Sequence, residues 1–207
     1  TGGVVTQFGE IHQIRLYDAV NELAVSATGD CAVDETKNWD FEDWTTSDPP
    51  PGFIKVDSGF EATQSVEFTD GASGCQLTWT EALGAQDPNF MQVYYLPVAA
   101  GDSVVFDLSV WDADVNGRIR QAVQYYDADG ETLSGSDKNE FAGNSYYSDN
   151  VTGNVDGWFP MSFESTAPEG ASFARAFVRM YDVKVDGAWS GSATIVIDGW
   201  NLTVGAP

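Results

Sequence analysis

Two groups of side chains in this chain are of types that could do chemistry. The first is acidic. Residues 38–53 read NWDFEDWTTSDPPPGF, with aromatics alternating with carboxylates before three prolines lead into Gly52-Phe53. Carboxylates at this density either keep a protein soluble or ligate a hard cation, and Ca²⁺ takes six to eight oxygens at about 2.3–2.6 Å. A second acidic stretch, DADVNG (112–117), matches the first half of an EF-hand loop at Asp112, Asp114, Asn116 and Gly117. Val123 stands where the closing bidentate Glu belongs and flanking helices are not expected, so a sharp Asx turn explains this stretch better. The second group is basic and aromatic. Alternation over 118–126 puts Arg118, Arg120, Gln124 and Tyr126 on one face, and alternation over 171–182 does the same for Arg175, Phe177, Arg179 and Tyr181. Trp111 shares a mixed face of its own strand with Val105, Asp107 and Ser109. Aromatic rings stack on the C–H faces of sugars, and planar amide and guanidinium groups fix hydroxyls with paired hydrogen bonds. The alternative is that these arginines pair with nearby Asp and Glu to satisfy a buried polar face.

Composition narrows the partners. The chain has 207 residues, enough for one substantial core, with 32 Asp+Glu against 9 Lys+Arg and a formal net charge of −23. Such a surface repels phosphate backbones and anionic lipid, so neither nucleic acid nor a membrane is an expected partner. No apolar run is long enough to span a bilayer. The 13% aromatic content argues for a folded core. No catalytic motif stands out: His12 is the one histidine, and neither a Gly-x-Ser-x-Gly elbow nor a P-loop nor zinc-ligand spacing is present. A glycosidase carboxylate pair is not singled out among so many acids. The chain therefore reads as a non-enzyme. Cys31 and Cys75 would be buried thiols in a reducing compartment; in an exported protein they could bridge, tying the N-terminal segment to the core. The composition, with sequons at Asn150 and Asn201, favours export and the bridge.

The elements that must position these groups are strands. From about residue 38 short alternating runs recur between Gly, Asp, Asn and Pro clusters: 64–68, 75–80, 91–98, 103–111, 118–126, 158–165, 171–182 and 193–204. A polar loop is expected over 134–157. The resulting expectation is an all-β sandwich over 36–207, preceded by a short appendage over 1–35. In that appendage GVVTQFGEIHQIRLYDAV (3–20) suggests two strands, although its three-residue apolar spacing also allows a helix.

NWDFED with its Pro/Gly turn, YYDADGETL, WFPMSFESTAPEGASFARAFVRM and IVIDGWNLTV, in that order over about 38–204, resemble motifs of jelly-roll carbohydrate-binding modules of families four, nine and twenty-two. The resemblance implies a jelly-roll β-sandwich of two antiparallel sheets that binds a polysaccharide on its concave sheet. It also implies a structural calcium ion between the first and last strands. Carried over by position, the calcium ligands are Glu42, Asp198 and the backbone carbonyl of Asp40, with Asp70 as the candidate from the loop after the second strand. On this reading residues 38–53 form the first strand, with Phe41 pointing inward and the prolines crossing the end of the sandwich.

Two functions follow. One is a secreted, non-catalytic, calcium-stabilised module holding a polysaccharide with Trp111, Arg118, Arg120, Gln124, Tyr126, Arg175, Arg179 and Tyr181. The other is a structural or adhesive subunit of an extracellular surface layer or filament. It would assemble with copies of itself by pairing of its N-terminal strands.

Overall fold

A computed structural model of the chain describes residues 38–46, 48–56, 59–80, 88–112, 118–133, 138–142, 157–181 and 192–205. The described residues contain strands and turns and no helix. In chain order the strands are β1 (Phe53–Val56), β2 (Phe60–Ser65), β3 (Gly74–Thr80), β4 (Asn89–Gln92), β5 (Leu96–Pro97), β6 (Ser103–Asp112), β7 (Arg118–Tyr126), β8 (Lys138–Ala142), β9 (Phe159–Thr166), β10 (Phe173–Met180) and β11 (Ser192–Gly205). They form two sheets. The six-stranded sheet runs β1-β4-β10-β7-β8, with β5 also paired to β10, and the five-stranded sheet runs β2-β3-β11-β6-β9. Every pairing is antiparallel. The expected all-β sandwich is what the chain forms.

The pleat explains the packing. In β6, Val104, Phe106, Leu108 and Val110 point into the sandwich and are buried, while the alternate positions face outward. Met161 and Phe163 of β9, Ile119, Val123 and Tyr125 of β7, and Ala174, Ala176 and Val178 of β10 complete one continuous core. An aromatic group holds one end. Phe53 stacks between Phe41 and Phe90 with ring centroids 4.9 and 4.7 Å apart, and Trp200 meets Phe53 edge-on at 5.1 Å. Three polar side chains in this interior make bonds across the sheets. Tyr125 donates its hydroxyl to Ser165 Oγ at 2.9 Å, Gln121 donates Nε2 to the Phe106 carbonyl at 2.5 Å, and Trp200 donates Nε1 to Gln92 Oε1 at 2.9 Å.

Several expected elements are corrected. Residues 38–46 and 48–52 form no strand, and the first described strand starts at Phe53. Phe41 does point inward and is fully buried, but it does so from a left-handed backbone, φ +54°. Asn38 and Asp48 also have positive φ, +50° and +57°. Asn and Asp tolerate that region, whereas Phe adopts it only when the surroundings impose it. Here the Phe41 carbonyl accepts bonds from Trp44 Nε1 (2.5 Å) and Ser73 Oγ (2.7 Å), and Asn38 ties the loop together through Asp43 and the Pro51 carbonyl. Asp48 receives the Ala62 N–H and the Lys55 ammonium, fastening the loop to β1 and β2.

The strand expected at 64–68 lies at Phe60–Ser65, leaving Val66 84% exposed beyond it. The strand expected at 91–98 is split into β4 and β5. Within the expected polar loop 134–157, Lys138–Ala142 forms edge strand β8 against β7, satisfying backbone groups that hydrophilic side chains do not advertise. Cys75 is a free cysteine, buried where β3 points into the core, so the expected bridge is not formed; Cys31 lies outside the described residues. The appendage 1–35 and residues 113–117 of the EF-hand-like stretch also lie outside them.

Candidate functional site

Of the positions read from sequence, Arg120, Gln124, Tyr126, Arg175, Phe177 and Arg179 meet on the outward face of the six-stranded sheet. β7 and β10 pair in a register that sets Tyr126 opposite Phe173, Gln124 opposite Arg175, Ala122 opposite Phe177 and Arg120 opposite Arg179. Because alternate residues share a face, these four pairs form successive rows. The central row is apolar. Phe177, Ala122 and Met91 of β4 make a small buried cluster, separate from the main core, with Ile54 and Val56 of β1 against it.

Polar rows flank this cluster on both sides. On one side Arg175, only 7% exposed, donates Nε and Nη2 to the Gln92 carbonyl at 2.9 and 2.6 Å and Nη1 to the Tyr95 hydroxyl at 2.9 Å. Its guanidinium lies 4.4 Å from the Tyr95 ring centre, a cation–π contact. Tyr95 in turn meets Tyr126 edge-on at 5.0 Å and Phe173 at 6.3 Å. Burial pushes the Tyr126 hydroxyl above its ordinary ionisation range, against the pull of the Arg175 charge. Gln124 donates Nε2 to the Leu133 carbonyl at 2.8 Å. On the other side Arg179 donates Nε to Asn89 Oδ1 at 2.9 Å, and the Arg120 guanidinium lies 4.9 Å from the Tyr181 ring centre.

Arg118 opens β7 in register with Ala142. Trp111 is not brought to this face. β6 belongs to the other sheet, where Trp111 stands opposite Val196 on β11 with its ring 6.4 Å from that of Trp158. Sequence reasoning missed Asn89, Gln92 and Tyr95. All three come from β4 and the turn after it, and only the non-sequential placement of β4 beside β10 delivers them.

The acidic residues gather at a different place. Asp198, 1% exposed, sits just before a bulge in β11, where the register against β6 shifts and Gly199 takes φ +62°. Its Oδ2 accepts the Thr69 N–H (2.6 Å), the Thr69 hydroxyl (2.7 Å) and the Asp70 N–H (3.2 Å), and Oδ1 accepts the Gly199 N–H (2.7 Å). Glu42 reaches the same β2–β3 loop, where its Oε1 accepts the N–H groups of Ala72 (2.6 Å) and Ser73 (3.0 Å). Gly71 stands against that carboxylate, and a Cβ there would run into Glu42 Oε1. Asp70 Oδ1 accepts the Gly71 N–H at 2.9 Å, and Asp40 is exposed.

Glu42 and Asp198 thus share one loop although far apart in sequence. In donor type they suit calcium. No three His, Cys, Asp or Glu form a metal-holding group among the described residues, so backbone carbonyls or water would have to complete a coordination sphere.

By fold the chain belongs to the two-sheet antiparallel β-sandwiches. No protein-family model matches the sequence, and no curated protein does. Among solved structures, the enzymatically active domain of tailspike protein 4 from bacteriophage CBA120 is similar with a TM-score of 0.53 and 13% identity, covering 74% of this chain and 19% of that one. Carbohydrate-binding modules of families 4, 16 and 22 are also among the similar structures. The C-terminal family 22 module of Clostridium thermocellum Xyn10B has a TM-score of 0.49 at 12% identity, over 78% of this chain and 92% of its own. The xylan-binding family 22 domain from Paenibacillus barcinonensis has a TM-score of 0.46 at 14% identity, over 75% and 87%. Likeness at these identities speaks to the fold.

Proposed function

We propose that this sandwich is a non-catalytic carbohydrate-binding module, exported from the cell, that holds a polysaccharide on the outward face of its six-stranded sheet. The observation that carries this reading is the Arg175 group. A guanidinium, two tyrosines and the Gln124 amide are held by hydrogen bonds and ring contacts in one fixed arrangement beside an apolar row. Rings that cover C–H faces and planar donors that meet paired hydroxyls are what a sugar chain requires, and holding them rigid lowers the entropy lost on binding. The polysaccharide class is also the one implied by the sequence resemblance. Affinity electrophoresis against a panel of soluble polysaccharides tests the reading. Retardation by at least one of them should be lost in Tyr95→Ala, and a chain retarded by none would sink it.

Calcium belongs to the same proposal, as a stabiliser of the Glu42–Asp198 end rather than a participant in binding. Its residues would be Glu42, Asp198 and the Asp40 carbonyl, with Asp70 beside them, joining the opening loop and last strand to the β2–β3 loop. Thermal melts with calcium and with a chelator decide this part. Calcium should raise the melting temperature in the unaltered chain and leave Glu42→Gln little changed.

A further inference from the structure

Charge is divided between the sheets. Six of the chain's nine basic residues (Lys55, Arg118, Arg120, Lys138, Arg175 and Arg179) lie in strands of the six-stranded sheet, which contain a single acid, Glu140. The strands of the five-stranded sheet hold Glu61, Asp107, Asp112, Glu164 and Asp198 and no basic residue. In a chain with 32 acids, arginines placed only to neutralise carboxylates would stand among them. Arg175 and Arg179 instead make their hydrogen bonds to neutral groups: a backbone carbonyl, a phenol and an amide. Lys55, on the edge strand β1, does pair with Asp48, at 2.7 Å.

The row Asn89–Arg179–Arg120–Glu140 crosses four strands in register. Two cations directly opposite each other on an antiparallel pair repel. Arg179 donates Nε to Asn89, and both of its Nη groups are without a partner among the described residues. A guanidinium in this state, half-buried and fixed by its inner nitrogen, presents the fork that matches a carboxylate or sulfate in bidentate fashion.

We propose that the ligand of this face is an anionic glycan, a polysaccharide bearing carboxylate or sulfate groups, and that Arg179 is the residue that grips the anion, with Arg120 beside it. The inference rests on the carbohydrate-binding reading above and adds the charge of the sugar. Because a net charge of −23 repels long polyanions, short oligomers are the right probes. Calorimetric titration of the full chain would use four ligands: a uronate tetrasaccharide, the same oligomer with its carboxylates reduced to alcohols, a sulfated tetrasaccharide and a neutral xylo-oligosaccharide.

The uronate or the sulfated oligomer should bind at least tenfold more tightly than the reduced and neutral ones. Arg179→Gln and, separately, Arg120→Gln should remove that preference while thermal melts stay unchanged. Equal binding of the charged and reduced oligomers, or a preference that survives both substitutions, overturns the anionic ligand and leaves the sugar-binding reading standing. Absence of binding by every oligomer overturns both. Concentration-dependent self-association abolished by Arg179→Gln, with no oligomer bound, would reassign the face to the acidic surface of a second copy.

Discussion

The two sheets use ionised side chains in opposite ways. The buried acid of the five-stranded sheet, Asp198, accepts four hydrogen bonds and fastens a loop; its work is internal. The cations of the six-stranded sheet are set on tyrosine rings, carbonyls and amides, along a face with its own apolar row. The oxygens of Asp198 are engaged by donors of its own chain, whereas Arg179 makes one hydrogen bond, through Nε, and its two Nη groups have no partner among the described residues.

The sharpest break of this contrast is Asp198→Ala. It strands the Thr69 and Asp70 donors, and a loss of about 3–5 kcal/mol in urea unfolding is expected from leaving buried groups unpaired. Asp198→Asn, which keeps the shape and one acceptor, should lose roughly half of that. Arg175→Met keeps the volume of a buried side chain whose partners are neutral, so unfolding should show a smaller loss, about 1–3 kcal/mol. A value as large as that for Asp198→Ala would mean that Arg175 too is mainly structural. Gly71→Ala places a side chain against Glu42 on a backbone with φ +79° and should weaken the fold by about 1–2 kcal/mol; in a Glu42→Ala background the clash is relieved and the loss shrinks to the part that the left-handed backbone imposes. Smallest is the effect of Arg179→Gln on stability, within about 0.5 kcal/mol, so that any binding loss it causes is read free of unfolding.

What the sequence made legible follows from period and distance. The faces of β7 and β10 were readable because strict alternation is local, and the structure puts Arg120, Gln124, Tyr126, Arg175 and Arg179 on one side of one sheet, with the Tyr181 ring against Arg120. The two acids at 42 and 198 were readable as a pair only through motif resemblance, since 156 positions separate them, and they do meet at one loop. Strand neighbours were not legible: β4 reaches β10 by a long-range pairing that brings in Asn89, Gln92 and Tyr95, and Trp111, grouped by type with the arginines, lies on the other sheet. The opening stretch misled for another reason. Alternating aromatics and carboxylates imitate a strand, but Phe41 is buried by a left-handed turn that only its tertiary partners enforce. Val66 and Phe68 imitate a strand face in the same way and are in fact exposed.

Cys75 has a use that follows from its position. Burial raises its thiol well above the ordinary range, helped by the charges of Asp48 and Asp198, so the folded chain holds the proton after the unfolded chain has lost it. Stability from this source is whole below a pH of about 8.5 and falls as pH rises toward the elevated folded value; unfolding curves across that range should lose this slope in Cys75→Ala. The same seclusion makes the sulfur a clock. A thiol reagent in excess can react with it only when β3 leaves the sandwich, so the labelling rate measures how often the core opens, with no engineered probe.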